Sequence, residues 1–247
     1  MPGARHAPDH TPASPQAIRR ENMEITWFGH ANFRISTRDA VVLIDPFFVG
    51  NPASPTTYKD IERCDLILVT HDHNDHVGQT LELAVRHDAE VVAIFDVIQN
   101  LIVQGLPEHL GVGMNIGGTV SRLGLSIKMV QAMHSSAHGA AAGFIITLPD
   151  STCIYNSGDT GLFGDMALFG KLHDIDIAML PVGGRFTMDA AQAAYACSLL
   201  GCRKVIPQHW GTWPILAQNT TALAEQLMLL SPETRLVELE IGTPTEV

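Results

Sequence analysis

"DLILVTHDHNDHVG", residues 65–78, decides the fold, because it joins two kinds of sequence that ordinarily exclude each other. Its first six residues are apolar and β-branched enough to form a buried strand. The next six, residues 71–76, hold three histidines and two aspartates, a density of polar groups that no hydrophobic core accommodates. His71 therefore opens the loop at the C-terminal end of a strand, where open α/β sheets collect their chemistry. In extended backbone residues i and i+2 share a side, so His71 and His73 can converge on one ion. Asp75 and His76 are adjacent and cannot both follow that direction, but a turn into helix here lets both reach a second position nearby. One loop can thus grip two metals.

Each ion remains short of the roughly four ligands that zinc prefers. The missing donors must come from the ends of other strands, since only those loops can meet the first. Three residues qualify: His134 after "LSIKMVQA" (125–132), Asp159 after "STCIYN" (151–156), and His209 after "RKVIPQ" (203–208). Gly158 beside Asp159 removes a side chain and lets the backbone come close to a ligand. The expected centre has His71, His73 and His134 on one ion, Asp75, His76 and His209 on the other, and Asp159 between them. Two such ions stand roughly 3.5–4 Å apart with a hydroxide bridging them.

The rest of the chain alternates strand and helix patterns. "EITWF" (24–28), "NFRIS" (32–36) and "AVVLID" (40–45) read as an antiparallel meander, and "DLILVT" and "EVVAIF" (90–95) flank the helical "QTLELAVRH" as a βαβ unit. Further strands are expected at "GFIITL" (143–148), "DIAMLP" (176–181) and "RLVELEI" (235–241). Helices are expected at 96–104, 164–172, 189–200 and 220–230, the third with Asp189 as N-cap and Gly201 as its stop. Strands and helices recur in both halves, which favours a layered α/β fold with two sheets. Residues 1–22, rich in proline, alanine and polar residues and without a period, are expected to be a mobile tail carrying His6 and His10.

Composition excludes several classes of function. With 15 lysines and arginines against 26 aspartates and glutamates the chain carries a formal charge of −11 and has no basic patch, so a nucleic-acid partner is not expected. No apolar run approaches the ~20 residues of a membrane span, and no secretory h-region opens the chain, which points to the cytoplasm. The four cysteines form no C-x-x-C pair and are expected to be reduced and buried.

The series "GHANFRI", "LIDPF", "LVTHDHNDHVG", "AMHSSA", "GDTGLFGDM", "LPVGGRFTM" and "IPQHWGTWP" resembles the metallo-β-lactamase superfamily, specifically its UPF0173 group of metal-dependent hydrolases. The resemblance spans nearly everything after the tail and implies an αββα sandwich over residues 23–247, with the metals at the shared edge of two mixed sheets. Its motif falls on His71, His73, Asp75 and His76, and its later ligands match His134, Asp159 and His209. Asp72 and Asn74 depart from the small spacers of many relatives, and Asp72 can add negative charge near the ions.

The chemistry so implied is hydrolysis of a small ester, lactone or phosphodiester by the bridging hydroxide, with Asp75 orienting it or taking its proton. Two divalent cations are required: zinc by default, with manganese, iron or nickel compatible with the donors. Asp45 is either a turn residue before Pro46 or the carboxylate partner of a ligand histidine. His30 is either a proton donor or substrate contact in the cleft, or a structural hydrogen-bonding residue. Arg185, in the glycine turn "PVGGRFTMD", is a candidate for an anionic part of the substrate, and Trp210 and Trp213 are candidates for apolar walls. A mononuclear iron dioxygenase on the same scaffold is the competing function. A small-molecule substrate is the expected partner, and a homo-oligomer is compatible with the sequence.

Overall fold

Short spacing makes the first three strands a meander: β1 (Glu24–Trp27), β2 (Phe33–Ser36) and β3 (Val41–Ile44) pair antiparallel in the computed structural model, which describes residues 23–247. The expected tail, with His6 and His10, lies outside the described residues. β4 (Leu66–Leu68) then joins β3 in parallel, and helix-mediated crossovers add β5 (Glu90–Ile94) and β6 (Gly111–Met114) beyond it. The second sheet starts with β7 (Thr119–Arg122), β8 (Leu125–Gln131) and β9 (Ala142–Thr147), which pair antiparallel as successive hairpins. β10 (Cys153–Asn156) pairs antiparallel with β9, and β11 (Ile177–Pro181), β12 (Lys204–Gln208) and β13 (Arg235–Leu236) follow in parallel. A final short β14 (Thr245–Glu246) returns to cover the outer edge of β1. The result is two mixed seven-stranded sheets, in the orders β14-β1-β2-β3-β4-β5-β6 and β13-β12-β11-β10-β9-β8-β7.

Period-two alternation decides which layer each side chain joins. In the second sheet Ile127, Met129, Phe144, Ile146, Ile154, Ile177, Met179 and Ile206 face the first sheet and share one buried cluster with Ile25, Phe33, Leu43, Leu66 and Val91. Their neighbours Ile145, Tyr155, Ala178, Leu180 and Val205 point to the other face and pack beneath the second sheet's helices. These are α4 (Met166–Leu172), α5 (Ala190–Leu200) and α6 (Thr221–Leu230). On the opposite side α2 (Thr80–His87) and α3 (Phe95–Gln104) cover β4, β5 and β6. The four layers of the αββα sandwich follow.

α5 shows why local sequence places its boundaries. Asp189 accepts from the Gln192 N–H while the Gln192 side chain reaches back to the Asp189 N–H, a reciprocal cap, and Gly201 ends the helix at φ 60°. One expected strand is corrected: of residues 235–241 only Arg235–Leu236 pair as β13, with one more bond from the Val237 N–H to the Val205 carbonyl. The partner β12 reaches Pro207 at this point and has no N–H to offer. The chain instead crosses to the other sheet, burying Leu239 on the way to β14. β6, β7 and β14 were not expected; they are short, glycine-bearing or polar, and are held as strands by their neighbours.

Candidate metal centre

The loop after β4 obeys its alternation. His71 and His73 turn to the same side, with His71 Nε2 3.0 Å from His73 Nδ1. From Asn74 the chain winds into α1 (Asn74–Val77), which carries Asp75 and His76 round to a second position. Gly78 closes this turn at φ 42°, and a Cβ there would lie 2.3 Å from the Pro46 carbonyl oxygen. Only glycine fits.

The other three candidates arrive from the second sheet. His134 follows β8, Asp159 follows β10 and His209 follows β12, so all reach the same edge as His71. Gly158, at φ 58°, would meet Thr70 and Ala142 at 2.8 Å with any side chain; without one, the Asp159 loop packs directly against the end of β4. Asp159 Oδ2 lies 3.0 Å from His209 Nε2, 3.3 Å from His76 Nε2 and 3.7 Å from His134 Nε2. A single carboxylate oxygen thus stands among imidazoles from both expected halves. Donor atoms of His71, His73 and His134 lie within 4.8 Å of one another, as do those of His71, His76 and Asp159, and those of His30, Asp75, His76 and His209.

Backbone strain is concentrated here. Six non-glycine residues among those described have positive φ, and three of them belong to this centre: His30 at 57°, Asp45 at 45° and His209 at 57°. Each such conformation costs on the order of 1–2 kcal/mol, and it persists where the surrounding structure over-determines it. At all three positions the unusual backbone aims a polar side chain inward.

The hydrogen bonds assign the ring nitrogens. Asp45, fully buried, accepts from the Thr70 N–H at 2.8 Å, the Thr70 hydroxyl at 2.7 Å and His76 Nδ1 at 2.7 Å. Because the Thr70 hydroxyl is spent on Asp45, its oxygen accepts from His71 Nδ1 at 3.0 Å. Both histidines therefore turn Nε2 toward Asp159 and its neighbours. Of the two readings of Asp45, the geometry selects partner of a ligand-type histidine.

His30 Nε2 donates to Asp75 Oδ2 at 3.1 Å, and its Nδ1 lies 2.9 Å from the Thr212 hydroxyl. Burial, opposed by the Asp75 hydrogen bond, pushes the His30 pKa down to about 4, so the ring is neutral and donates one proton. Burial pushes the Asp75 carboxyl up, but the His30 hydrogen bond and the charge of His76 outweigh it and hold Asp75 below the usual carboxylate range.

The buried groups are matched to a cation. His76 Nε2 and Asp159 Oδ1 are both buried without a hydrogen-bond partner, an arrangement that costs free energy unless something positive fills it. Burial disfavours charge on both residues, yet mutual attraction, with Asp45 helping, raises His76 and lowers Asp159. A divalent ion would take the place of the proton that His76 otherwise holds. The donors, imidazole nitrogen and carboxylate oxygen, suit zinc and the late first-row metals.

Comparison with known proteins agrees with this architecture. Residues 24–209 match the β-lactamase superfamily domain. A UPF0173 metal-dependent hydrolase of Nitratidesulfovibrio vulgaris is 50% identical over 221 residues, 88% of this chain and 92% of that protein. Another, from Lawsonia intracellularis, is 43% identical over 92% of this chain and all of its own length. Among solved structures, a metallo hydrolase of Ignicoccus hospitalis superposes with a TM-score of 0.84 at 33% identity, covering 92% of this chain and 98% of its own. The chain belongs to the UPF0173 metal-dependent hydrolases of the metallo-β-lactamase superfamily.

The hydrolase opens to solvent through a cleft of about 560 Å³ lined by His73, Asp75, His134, Asp159 and His209 together with Ser135, Arg185, Phe186 and Trp213. Two expectations need correcting. His30 does not line this cleft: it is fully buried behind Asp75, because its loop folds back so that the His209 N–H and Trp27 Nε1 both donate to its carbonyl. Trp210 does not line it either. Its ring stacks on Trp27 at 5.1 Å and packs against both apolar clusters, while Trp213, three residues later, faces the cleft.

Asp72 is the residue whose role the sequence pattern left open. Turned away from His71 and His73, it spends both oxygens on the loop after His134. Oδ1 accepts from the Ser136 hydroxyl at 2.9 Å and the Ala137 N–H at 2.8 Å. Oδ2 accepts from the His138 N–H at 2.9 Å and His138 Nδ1 at 2.6 Å. Its charge thus ties the two histidine loops together rather than facing the centre. Strand alternation was the signal for it, since residue 72 must oppose 71 and 73. The four cysteines are buried and unpaired, and no described helix is long and apolar enough to cross a membrane.

Proposed function

We propose that the chain is a binuclear hydrolase of small esters, lactones or phosphodiesters, with zinc as the default metal. His71, His73 and His134 would hold one ion, Asp75, His76 and His209 the other, and Asp159 would span both. The observation that carries this is the position of Asp159 Oδ2, 3.0–3.7 Å from imidazoles belonging to each set. When bound, such a metal pair supplies a water that ionises near neutral pH and Lewis acidity toward a carbonyl or phosphoryl oxygen.

The chain's own residues supply the rest. Asp45 keeps the proton of His76 on Nδ1, and Thr70 keeps that of His71 on Nδ1, so neither ring has to change tautomer when the ion arrives. His30 holds Asp75 ionised and fixes the direction of Oδ2, leaving the other carboxylate oxygen available as a proton acceptor at the cleft. Near-complete burial of Asp159 and His209 at the floor of the cleft limits water at their donor atoms.

Metal analysis of protein purified without added metal tests the assignment, followed on the same sample by hydrolysis of a γ-lactone, a 4-nitrophenyl ester and bis(4-nitrophenyl) phosphate, with oxygen uptake recorded in parallel. Two equivalents of metal and turnover of one of these without oxygen uptake are expected. One equivalent of iron with oxygen consumption would replace hydrolysis by oxidation.

A further inference from the structure

Four residues lining the cleft lie outside the proposed ligand set: Ser135, Arg185, Phe186 and Trp213. We infer that the substrate carries an oxyanion, carboxylate or phosphate, beside an apolar planar body, with Arg185 holding the charge and Phe186 and Trp213 flanking the body. This deepens the hydrolase function proposed above and rests on it.

Arg185 is the one permanent cation among the described residues lining the cleft. Some arginines of this chain are held by carboxylates. Arg63 pairs with Asp65, Arg122 with Glu90, and Arg203 with Asp174 and Asp176. Arg185 is exposed and makes no hydrogen bond or ion pair with any described residue, so its planar, five-donor fork is free for a ligand.

Phe186 is 57% exposed although the next two residues, Thr187 and Met188, are buried. Among the described residues its ring makes no aromatic or cation contact. Trp213 packs T-shaped with His30 at 4.8 Å and against Phe47 at 6.3 Å, and it also lines the cleft. Two aromatic surfaces and a cation at one opening match an amphipathic anion better than a neutral polar ligand.

The backbone under these side chains is pinned. The Gly184 N–H donates to the Met188 carbonyl and the Met188 N–H to that of Thr160, which ties the Arg185–Phe186 loop to the Asp159 loop. The Ala217 N–H donates to the Gly183 carbonyl, joining it to the Trp213 loop, whose own carbonyl accepts from the Leu216 N–H and Gln218 Nε2. A rim held this way presents its groups without first paying for order. A cavity of about 560 Å³ limits the ligand to a small molecule.

Calorimetric titration of the metal-loaded protein with benzoate, phenyl phosphate and benzyl alcohol tests this without turnover. At least one anion should bind roughly 10–100-fold more tightly than the alcohol, the range of a charge-assisted hydrogen bond, and the better anion identifies the class. Arg185→Ala should erase most of that gap and Arg185→Lys should restore part of it, whereas Phe186→Ala should weaken all three ligands alike. A gap that survives Arg185→Ala places the anion on the metals and overturns the inference, as does equal binding of all three in the parent protein. In turnover, 4-nitrophenyl hydrogen succinate should exceed 4-nitrophenyl butyrate in kcat/KM, with the ratio collapsing in Arg185→Ala. If neither ester, lactone nor diester is hydrolysed while Arg185-dependent anion binding persists, the hydrolytic function fails and the ligand class stands.

Discussion

Asp45→Asn separates the metal centre's geometry from its mere composition. The parent carboxylate accepts three hydrogen bonds at 2.7–2.8 Å from groups that are almost wholly buried. Asparagine keeps the shape and tolerates φ 45°, but offers only one oxygen. If that oxygen faces His76, the amide NH2 meets the Thr70 N–H and one buried donor is stranded, at a cost of about 1–3 kcal/mol. Should it instead face the Thr70 N–H, the NH2 meets His76 Nδ1 and pushes the imidazole proton to Nε2, the atom 3.3 Å from Asp159. Either way the fold survives, since a domain of this kind has roughly 5–15 kcal/mol to lose. On the proposed ligand set, an ion at His76 should bind ~10–100-fold more weakly, about 1.4–2.7 kcal/mol, while one at His71, His73 and His134 weakens far less. Competition against a chromophoric chelator resolves the two affinities, and thermal unfolding monitors the fold. Two ions held with parental affinity would refute the tautomer reasoning, and equal loss at both would show that Asp45 acts on the loop as a whole.

His73→Ala removes a half-exposed ring and should lower bound metal and abolish turnover with little change in thermal stability; full occupancy by metal analysis would contradict the ligand set. Trp210→Ala should cost less than the about 3–5 kcal/mol of a fully buried aromatic in denaturant unfolding, because its ring is only partly buried, and Trp213→Ala should raise KM for an aryl ester. Asp72→Ala cuts the four bonds that Asp72 makes to the loop after His134, so limited proteolysis should open at residues 135–139 and, on the proposed ligand set, the ion at His134 should weaken by ~10-fold or more; an uncut loop with unaltered affinity would make the tie dispensable. Chelation should lower the melting temperature of the parent, as required of any ligand that binds only the folded state, and an unchanged melting curve would argue that the centre forms equally well without metal.

Much of this was legible in residue order. The switch at Thr70 from a buried β pattern to histidines at i and i+2 set the loop at a strand end, and His134, Asp159 and His209 could be found because each follows another apolar strand. The sequence could not place His30 and Trp210 for one reason. Both stand beside true cleft residues in sequence, and a loop's fold-back, not its composition, decides which neighbour faces inward. His30 is turned by left-handed backbone and two hydrogen bonds to its carbonyl, and Trp210 is captured by Trp27 from the other sheet.

The sequence by itself determined the layers, the strand ends and the donor types, because these depend on periodicity and chemistry that each segment carries alone. Only the tertiary structure decided which nitrogen His71 and His76 turn to the centre, that Asp72 joins two loops, and that Arg185 stands unpaired among the described residues beside Phe186 and Trp213. Those properties belong mostly to contacts between segments far apart in sequence, such as Asp45 with His76 and Asp72 with His138, whose distances are set by how two twisted sheets pack rather than by any local preference.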